Sequence, residues 1–263
     1  MRTLLIDTDA LIWRFSLINR QNSPENPFGF AQDTPDLSDL ECAQRDFQVK
    51  LDRLSEDYAP CKLILCLPEE GTENFRYKLY PQYKGHRGER PEIVTQMYQW
   101  VHDTYKDILH TEAEVETDDI IADLAYNMPF DDRVIVSNDK DFRQIPGWHL
   151  HPFTGYLEKI NNSVSLMSFW RQVLMGDSAD GIPGCPGIGE TIATRIILGA
   201  VEQSPRLVPL EDVVLTAYLT QGATFEDFAL NYRLILLGNK NYRYVPHTLP
   251  EAYIKVIKRI TKS

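Results

Sequence analysis

Three short, almost unbroken apolar runs punctuate the first half of the chain: TLLID at 3–7, KLILCL at 62–67 and RVIVS at 133–137. Runs of this length without polar alternation read as strands buried on both faces, as in a parallel sheet. Between them the spacing changes to that of helices. One helical pattern follows Asp7 to about Leu17, a second runs from Leu37 to Leu54 and a third from Pro91 to Tyr105. A fourth, VETDDIIADLAYNM, carries acids in its first turn. Residues 20–36, rich in Asn, Pro, Gly and Gln, read as a loop. Strands separated by helices predict an α/β fold with a mostly parallel central sheet flanked by helices. From about Val164 onward the pattern is helical, with no internal repeat and no flexible linker. The expected division is an α/β core over 1–163 and a helical subdomain over 164–263.

The acids fall where such a sheet collects its ligands, at the carboxyl ends of strands. Asp7 closes the first run, Glu69 and Glu70 follow the second, and Asp139 and Asp141 follow the third. Glu116, Asp118 and Asp119 open a helix, and Asp177 and Asp180 lie in a loop further on. Singly, each has an ordinary explanation as a helix cap, a dipole partner or a turn former. Together they form an oxygen-only donor set that suits Mg²⁺ or Mn²⁺ better than zinc. Two such ions, roughly 3.5–4 Å apart, activate a water and stabilise the leaving oxygen in phosphodiester hydrolysis.

Net charge alone argues against a nucleic-acid partner, because the 263 residues carry a formal −11. Its distribution reverses that impression. Residues 231–263 hold seven Lys/Arg against Glu251, and FRYKLYPQYKGHRGER at 75–90 holds five against Glu89. In the latter segment Phe75, Tyr77, Tyr80 and Tyr83 interleave with the cations, a pattern suited to phosphate contact and base stacking. The loop GDSADGIPGCPGIGETIATRI at 176–196 adds glycines just before an apolar helix. GCPGIGET almost matches the nucleotide P-loop, but Glu190 occupies the lysine position and no strand leads into the loop. The alternative is a turn between two helices whose bare N–H groups approach a DNA backbone, with Gly184, Gly187 and Gly189 permitting the approach. A turn that only packs its two helices remains the plain alternative.

Other chemistries find little support. Cys42, Cys61, Cys66 and Cys185 lack CxxC spacing or an adjacent histidine pair, against a zinc site or disulfide framework. His149 and His151 read as ordinary strand residues. No stretch is apolar enough to span a membrane, and the opening MRTLLIDTDALIW is cut by aspartates, unlike a secretion signal. The expectation is a cytoplasmic, monomeric protein.

Asp7, FRYKLYPQYKGHR, ETDD, SNDKDF and GDSADGIPGCPGIG, in that order, resemble the five-prime nuclease superfamily. That group includes flap endonucleases, the five-prime nuclease domain of bacterial DNA polymerase I and phage 5′-exonucleases. The match runs to about residue 200, and VIVSNDKDFRQIPG is most similar to the exonucleases of short-tailed lytic phages. If the chain is phage-encoded, its place is the host cytoplasm and its work DNA replication. The resemblance implies a PIN-like core with a small helical arch near 75–105 and a helix-three-turn-helix at 176–198, often with K⁺ between loop and DNA. It implies that Asp7, Glu69, Glu116 and Asp118 surround one metal ion, that Asp139, Asp141, Asp177 and Asp180 surround another, and that Asp119 lies near both. It also implies that Lys84 and Arg76 contact the scissile phosphate, with Tyr83 and Arg87 beside them on the DNA, and that Asp118 and Asp141 are essential for catalysis.

Two positions depart from the family pattern. The acid after the second strand is usually aspartate and here is Glu69, with Glu70 beside it; a lysine often following the glycine turn is here Thr191. The expected activity is that of a metal-dependent 5′-3′ exonuclease with flap endonuclease activity. Its expected substrates are double-stranded DNA with a free 5′ end or 5′ flap, and RNA–DNA hybrid. Two rivals stand beside it: a catalytically weak, structure-specific DNA-binding protein of the same fold, and a PIN-type ribonuclease.

Overall fold

Burial on both faces organises the first part of the chain around a six-stranded sheet. The computed structural model describes residues 1–17, 38–203 and 210–238. The strands are β1 (Arg2–Asp7), β2 (Cys61–Pro68), β3 (Leu109–Glu112), β4 (Arg133–Val136), β5 (Gly147–Leu150) and β6 (Leu157–Ile160). Their order across the sheet is β3-β2-β1-β4-β5-β6. β1 pairs in parallel with both β2 and β4, β2 with β3, and β4 with β5. The three apolar runs thus become three of the four interior strands. β3 and β6, which the apolar pattern did not predict, are the two edges; LHTE and LEKI are short and only partly buried, so they carry no apolar run.

Helices cover the sheet. They are α1 (Thr8–Ser16), α2 (Asp39–Asp57), α4 (Glu92–Thr104) and α5 (Thr117–Tyr126) here, with a short α3 (Phe75–Leu79) preceding α4 in the chain. Leu4, Ile6, Leu65, Leu67, Val134 and Val136 share one core with Phe15, Phe47, Met97 and Val101 from α1, α2 and α4. The alternate residues Leu5, Cys66 and Ile135 are equally buried, as strands covered on both faces require. α5 packs on β1, β2 and β4. Ser38 starts α2 through a capping box: its hydroxyl accepts from the Glu41 N–H while the Glu41 carboxylate accepts from the Ser38 N–H at 2.8 Å. The expected loop at 20–36 and the basic tail from 239 onward lie outside the described residues.

The chain divides into two units, one comprising residues 1–73, 88–142 and 147–159, the other 74–87, 143–146 and 160–263. Within the second, α6 (Asn162–Met175), α7 (Glu190–Gln203), α8 (Leu210–Thr220) and α9 (Phe225–Ile235) surround an aromatic core. Trp170 and Phe228 stack at 6.3 Å, and the Tyr218 hydroxyl donates to the Val173 carbonyl at 2.6 Å. The 75–105 stretch is not one element: 74–87 belongs to this helical unit, whereas α4 belongs to the sheet unit. Among the described residues no helix is long and apolar enough to cross a membrane.

Candidate active site

Backbone register sets the first group of acids. Asp7 ends β1 opposite Cys66 on β2, and Glu112 ends β3 opposite Pro68. Asp7 also caps α1, its Oδ1 accepting from the Ala10 N–H at 3.1 Å, while its Oδ2 accepts from the Ser137 hydroxyl at 2.6 Å. Ser137 Oγ in turn accepts from the Asp139 N–H at 2.9 Å, and Asp139 Oδ1 from the Asp141 N–H at 2.8 Å. A hydrogen-bond chain therefore runs from the end of β1 through the loop after β4. Asp7 is only 4% exposed. Burial, then the charges of Asp9 and Asp139, push its carboxyl up to about 7, against the hydrogen bonds from Ser137 and Ala10.

The opening turn of α5 supplies the next group. Glu116 is its N-cap, and the Asp119 carboxylate closes a capping box by accepting from the Glu116 N–H at 3.1 Å. Asp119 is fully buried, whereas Glu116 and Asp118 are half-buried. Glu69 and Glu70, by contrast, are exposed. The Glu69 N–H donates to the Glu112 carbonyl at 2.8 Å, so its backbone is pinned at the strand ends while its side chain is not enclosed. Glu112 is the acid the pattern missed: half-buried, its Oε1 lies 3.0 Å from His110 Nε2. Its charge and that of Asp7 both raise the Cys66 thiol, after burial. The rule that selected Asp7, an acid ending a strand, would have selected Glu112 had LHTE been legible as one.

Carboxylate oxygens are the right donors for a hard dication, and a buried carboxyl whose charge is disfavoured beside Asp9 and Asp139 is one that a cation would relieve. The residue types therefore fit such an ion. Among the described residues, however, no three Asp, Glu, His or Cys side chains are grouped closely enough to hold one as they stand.

The helical unit changes several expectations. Arg76, expected at the scissile phosphate, is 1% exposed; its Nε donates to the Leu234 carbonyl at 3.0 Å and its Nη2 to that of Leu236 at 3.1 Å. It caps the carboxyl end of α9 and faces no solvent through which a phosphate could reach it. Tyr83, expected on the DNA, is 2% exposed in the helical core, and its hydroxyl donates to Asp180 Oδ2 at 3.2 Å. Arg87 is exposed, whereas the Lys84 side chain is mostly buried. Both pair with Asp180, Lys84 Nζ at 3.6 Å and Arg87 Nη2 at 2.6 Å. Asp180, expected as a metal ligand, is thus already compensated by two cations. Asp177 Oδ1 accepts from the Ala179 N–H at 2.7 Å and shapes its own turn.

The expected glycines separate in the same way. Gly184 is buried, and its N–H donates to Asn231 Oδ1 at 2.8 Å. A Cβ there would lie 2.4 Å from the Met175 carbonyl group, and one at Gly176 would lie 2.3 Å from the Ile182 oxygen. These two glycines let the loop close on itself, so Gly184 is corrected from a DNA contact to a packing residue. Gly187 and Gly189 are exposed, and nothing lies within 4 Å of a Cβ built at Gly189.

Residues 2–163 match the sequence family described as 5'-3' exonuclease, N-terminal resolvase-like domain. A 5'-3' exonuclease of Buchnera aphidicola (subsp. Acyrthosiphon pisum) is 27% identical over 165 residues, 56% of this chain and 56% of that protein. DNA polymerase I of Streptococcus pneumoniae is 28% identical over 217 residues, 75% of this chain but 24% of the polymerase. The chain therefore spans about half of the first relative and a quarter of the second. Among solved structures, a T5 5'-exonuclease with divalent metal ions (zinc) bound superposes with a TM-score of 0.54 at 16% identity, over 98% of each chain. The bacteriophage T5 flap endonuclease in a pseudo-enzyme-product complex with DNA and metal ions gives 0.54 at 17% identity, again over 98% of each. This likeness establishes the fold.

Proposed function

This chain belongs to the 5'-3' exonuclease family, and from that membership we propose that it is a metal-dependent 5′-3′ exonuclease with flap endonuclease activity on DNA, leaving 5′-phosphates. The observation that carries the reading is the buried Asp7 at the end of β1, joined through Ser137 to Asp139 and Asp141. The acids named for a metal are Asp7, Glu112, Glu116, Asp118, Asp119, Asp139 and Asp141, with Glu69 at their margin. Two Mg²⁺ or Mn²⁺ ions, when bound, would supply a nucleophilic hydroxide and neutralise charge on the phosphodiester.

The protein's own groups do the rest. Ser137 orients the Asp7 carboxylate, and the backbone amides of residues 139 and 141 fix the loop that presents the next two acids. Lys84 stabilises the charge that develops on the scissile phosphate, an effect worth roughly 3 kcal/mol for one well-placed donor. Arg87 assists binding, and the exposed Gly187–Gly189 turn admits a duplex backbone, with K⁺ as the bridging ion of a helix-three-turn-helix. Double-stranded DNA with a free 5′ end or 5′ flap is the main substrate, RNA–DNA hybrid a further one, and the working unit a monomer in the cytoplasm.

A second reading has one observation in its favour. Because among the described residues no three acids group around a point, and Glu69 is exposed, a weakly catalytic DNA-binding protein of this fold is the rival. Single-turnover cleavage of a 5′-flap by Asp118→Ala and Asp141→Ala decides between them. Both variants should lose cleavage while keeping flap affinity in Ca²⁺, and Lys84→Ala should slow cleavage about 10²-fold. Undiminished cleavage in either aspartate variant would remove the acids from the chemistry.

A further inference from the structure

Cations are scarce in the helices around the glycine turn. Residues 160–238 contain no lysine and four arginines, Arg171, Arg195, Arg206 and Arg233. Position 191, where a lysine would follow the turn, holds an exposed threonine. Arg206 lies outside the described residues, and Arg233 sits in the last turn of α9. Arg195 is exposed on α7, one helical turn beyond Thr191. Arg171 belongs to another helix, α6, yet its Nη1 lies 3.5 Å from Oε1 of Glu190, the residue between Gly189 and Thr191. A cation from α6 therefore stands beside the point where the sequence of α7 lacks one.

Packing fixes that placement. Trp170 and Val173 of α6 share one core with Ile188 of the turn and Ala193 of α7. The Cys185 N–H donates to the Leu174 carbonyl at 2.8 Å and the Ala193 N–H to that of Gly189 at 2.9 Å, which ties the turn to both helices. The Arg171 side chain is 35% exposed, and its Nε is buried without a hydrogen-bond partner among the described residues. Glu190 is 73% exposed, and a pair this long and this wet contributes little. The guanidinium thus keeps donors in reserve and yields readily to a stronger acceptor. We propose that Arg171 is a duplex-phosphate contact of the helical unit, supplying from α6 the charge that a lysine at 191 would supply from α7. A phosphate oxygen at the exposed Gly187–Gly189 turn replaces Glu190 as its acceptor. Such a contact adds affinity and register without reading sequence. The proposal rests on the reading of that turn as a duplex surface.

Positions 171 and 191 should then serve one phosphate between them, and a double-mutant cycle measures this. Affinity of the full chain for a fluorescent 5′-flap duplex is followed in Ca²⁺ across a salt series. Arg171→Ala should bind about 5–20-fold more weakly than wild type at 0.1 M salt, with the slope of log K against log salt shallower by about 1. Adding Thr191→Lys to Arg171→Ala should bring affinity back to within about 2-fold of wild type and restore the slope. In the wild-type background Thr191→Lys should tighten binding less than about 2-fold, because that phosphate already has its cation. Arg195→Ala removes an equal charge one turn away and should cost less than about 2-fold. If thermal melting shows that Arg171→Ala does not fold, Arg171→Gln takes its place in the cycle. Undiminished affinity without Arg171 overturns the proposal, as does an equal gain from Thr191→Lys in both backgrounds. A loss in Arg195→Ala as large as that in Arg171→Ala overturns it too, since only net charge would then matter. A wild type that binds no flap duplex at any salt overturns the nuclease reading itself, a result distinct from binding that is indifferent to Arg171.

Discussion

Asp7 and Arg76 show how burial, not composition, decides what a charged side chain does. Arg76 lies in the most basic stretch of the described chain, yet its guanidinium is spent on two carbonyls left over at the end of α9. Composition could place it near phosphate; only the packing of 74–87 within the helical unit shows that it is a cap. Asp7 was legible because it ends a buried strand, and burial is also what perturbs it. Its folded-state pKa of about 7 lies above the ordinary value of about 4. The folded protein therefore favours the protonated acid, a contribution fully present below about pH 4 and lost as pH rises through 7. Asp7→Asn, which mimics the protonated form, should stabilise the metal-free protein at pH 8 by about 2–4 kcal/mol. Chemical denaturation at pH 8 and pH 4 checks this, and the gain should disappear at the lower pH. A gain that persists at pH 4 would mean that the charge of Asp7 is not what costs stability.

At the scale of elements, the central strands and the long helices were readable because each satisfies one period along its whole length. The apolar runs at 3–7, 62–67 and 133–137 are β1, β2 and β4, and Pro91 caps α4 where the pattern placed its start. The edge strand β3 was not readable, and with it went Glu112, since a partly exposed four-residue strand leaves no periodic trace. The exposed Glu69 occupies the motif position, while Glu112 occupies the sheltered one. The glycine loop was readable as a loop but not in its division of labour, which depends on what each absent Cβ would touch. Gly184→Ala should destabilise the protein by roughly 2–4 kcal/mol, through a clash with backbone at a φ of 68°. Gly189→Ala, with open space around it, should leave stability within about 0.5 kcal/mol and weaken duplex binding several-fold. Melting curves and flap titrations of the two variants separate these effects. A Gly189→Ala protein that binds duplex as wild type does would remove that turn from the DNA surface.

For the whole molecule, the formal −11 ceases to oppose a DNA partner once its acids are seen at the ends of β1, β3 and β4 and at the start of α5. Such a concentration of carboxyl groups is costly for the bare protein and attractive to divalent cations, which reverse the sign of the local field. The account therefore requires three things of one protein together: hydrolysis of DNA, from the 5′ side, and only with a divalent metal. Incubating the wild-type chain with a flap duplex labelled at its 5′ end, and with the same duplex labelled at its 3′ end, tests all three in one gel. In Mg²⁺ the 5′ label should leave as mononucleotides or as an intact flap, the shortened 3′-labelled strand should carry a 5′-phosphate, and EDTA should abolish both. Cleavage that survives EDTA, release of the 3′ label first, or tight binding without any cleavage in Mg²⁺ or Mn²⁺ would contradict it.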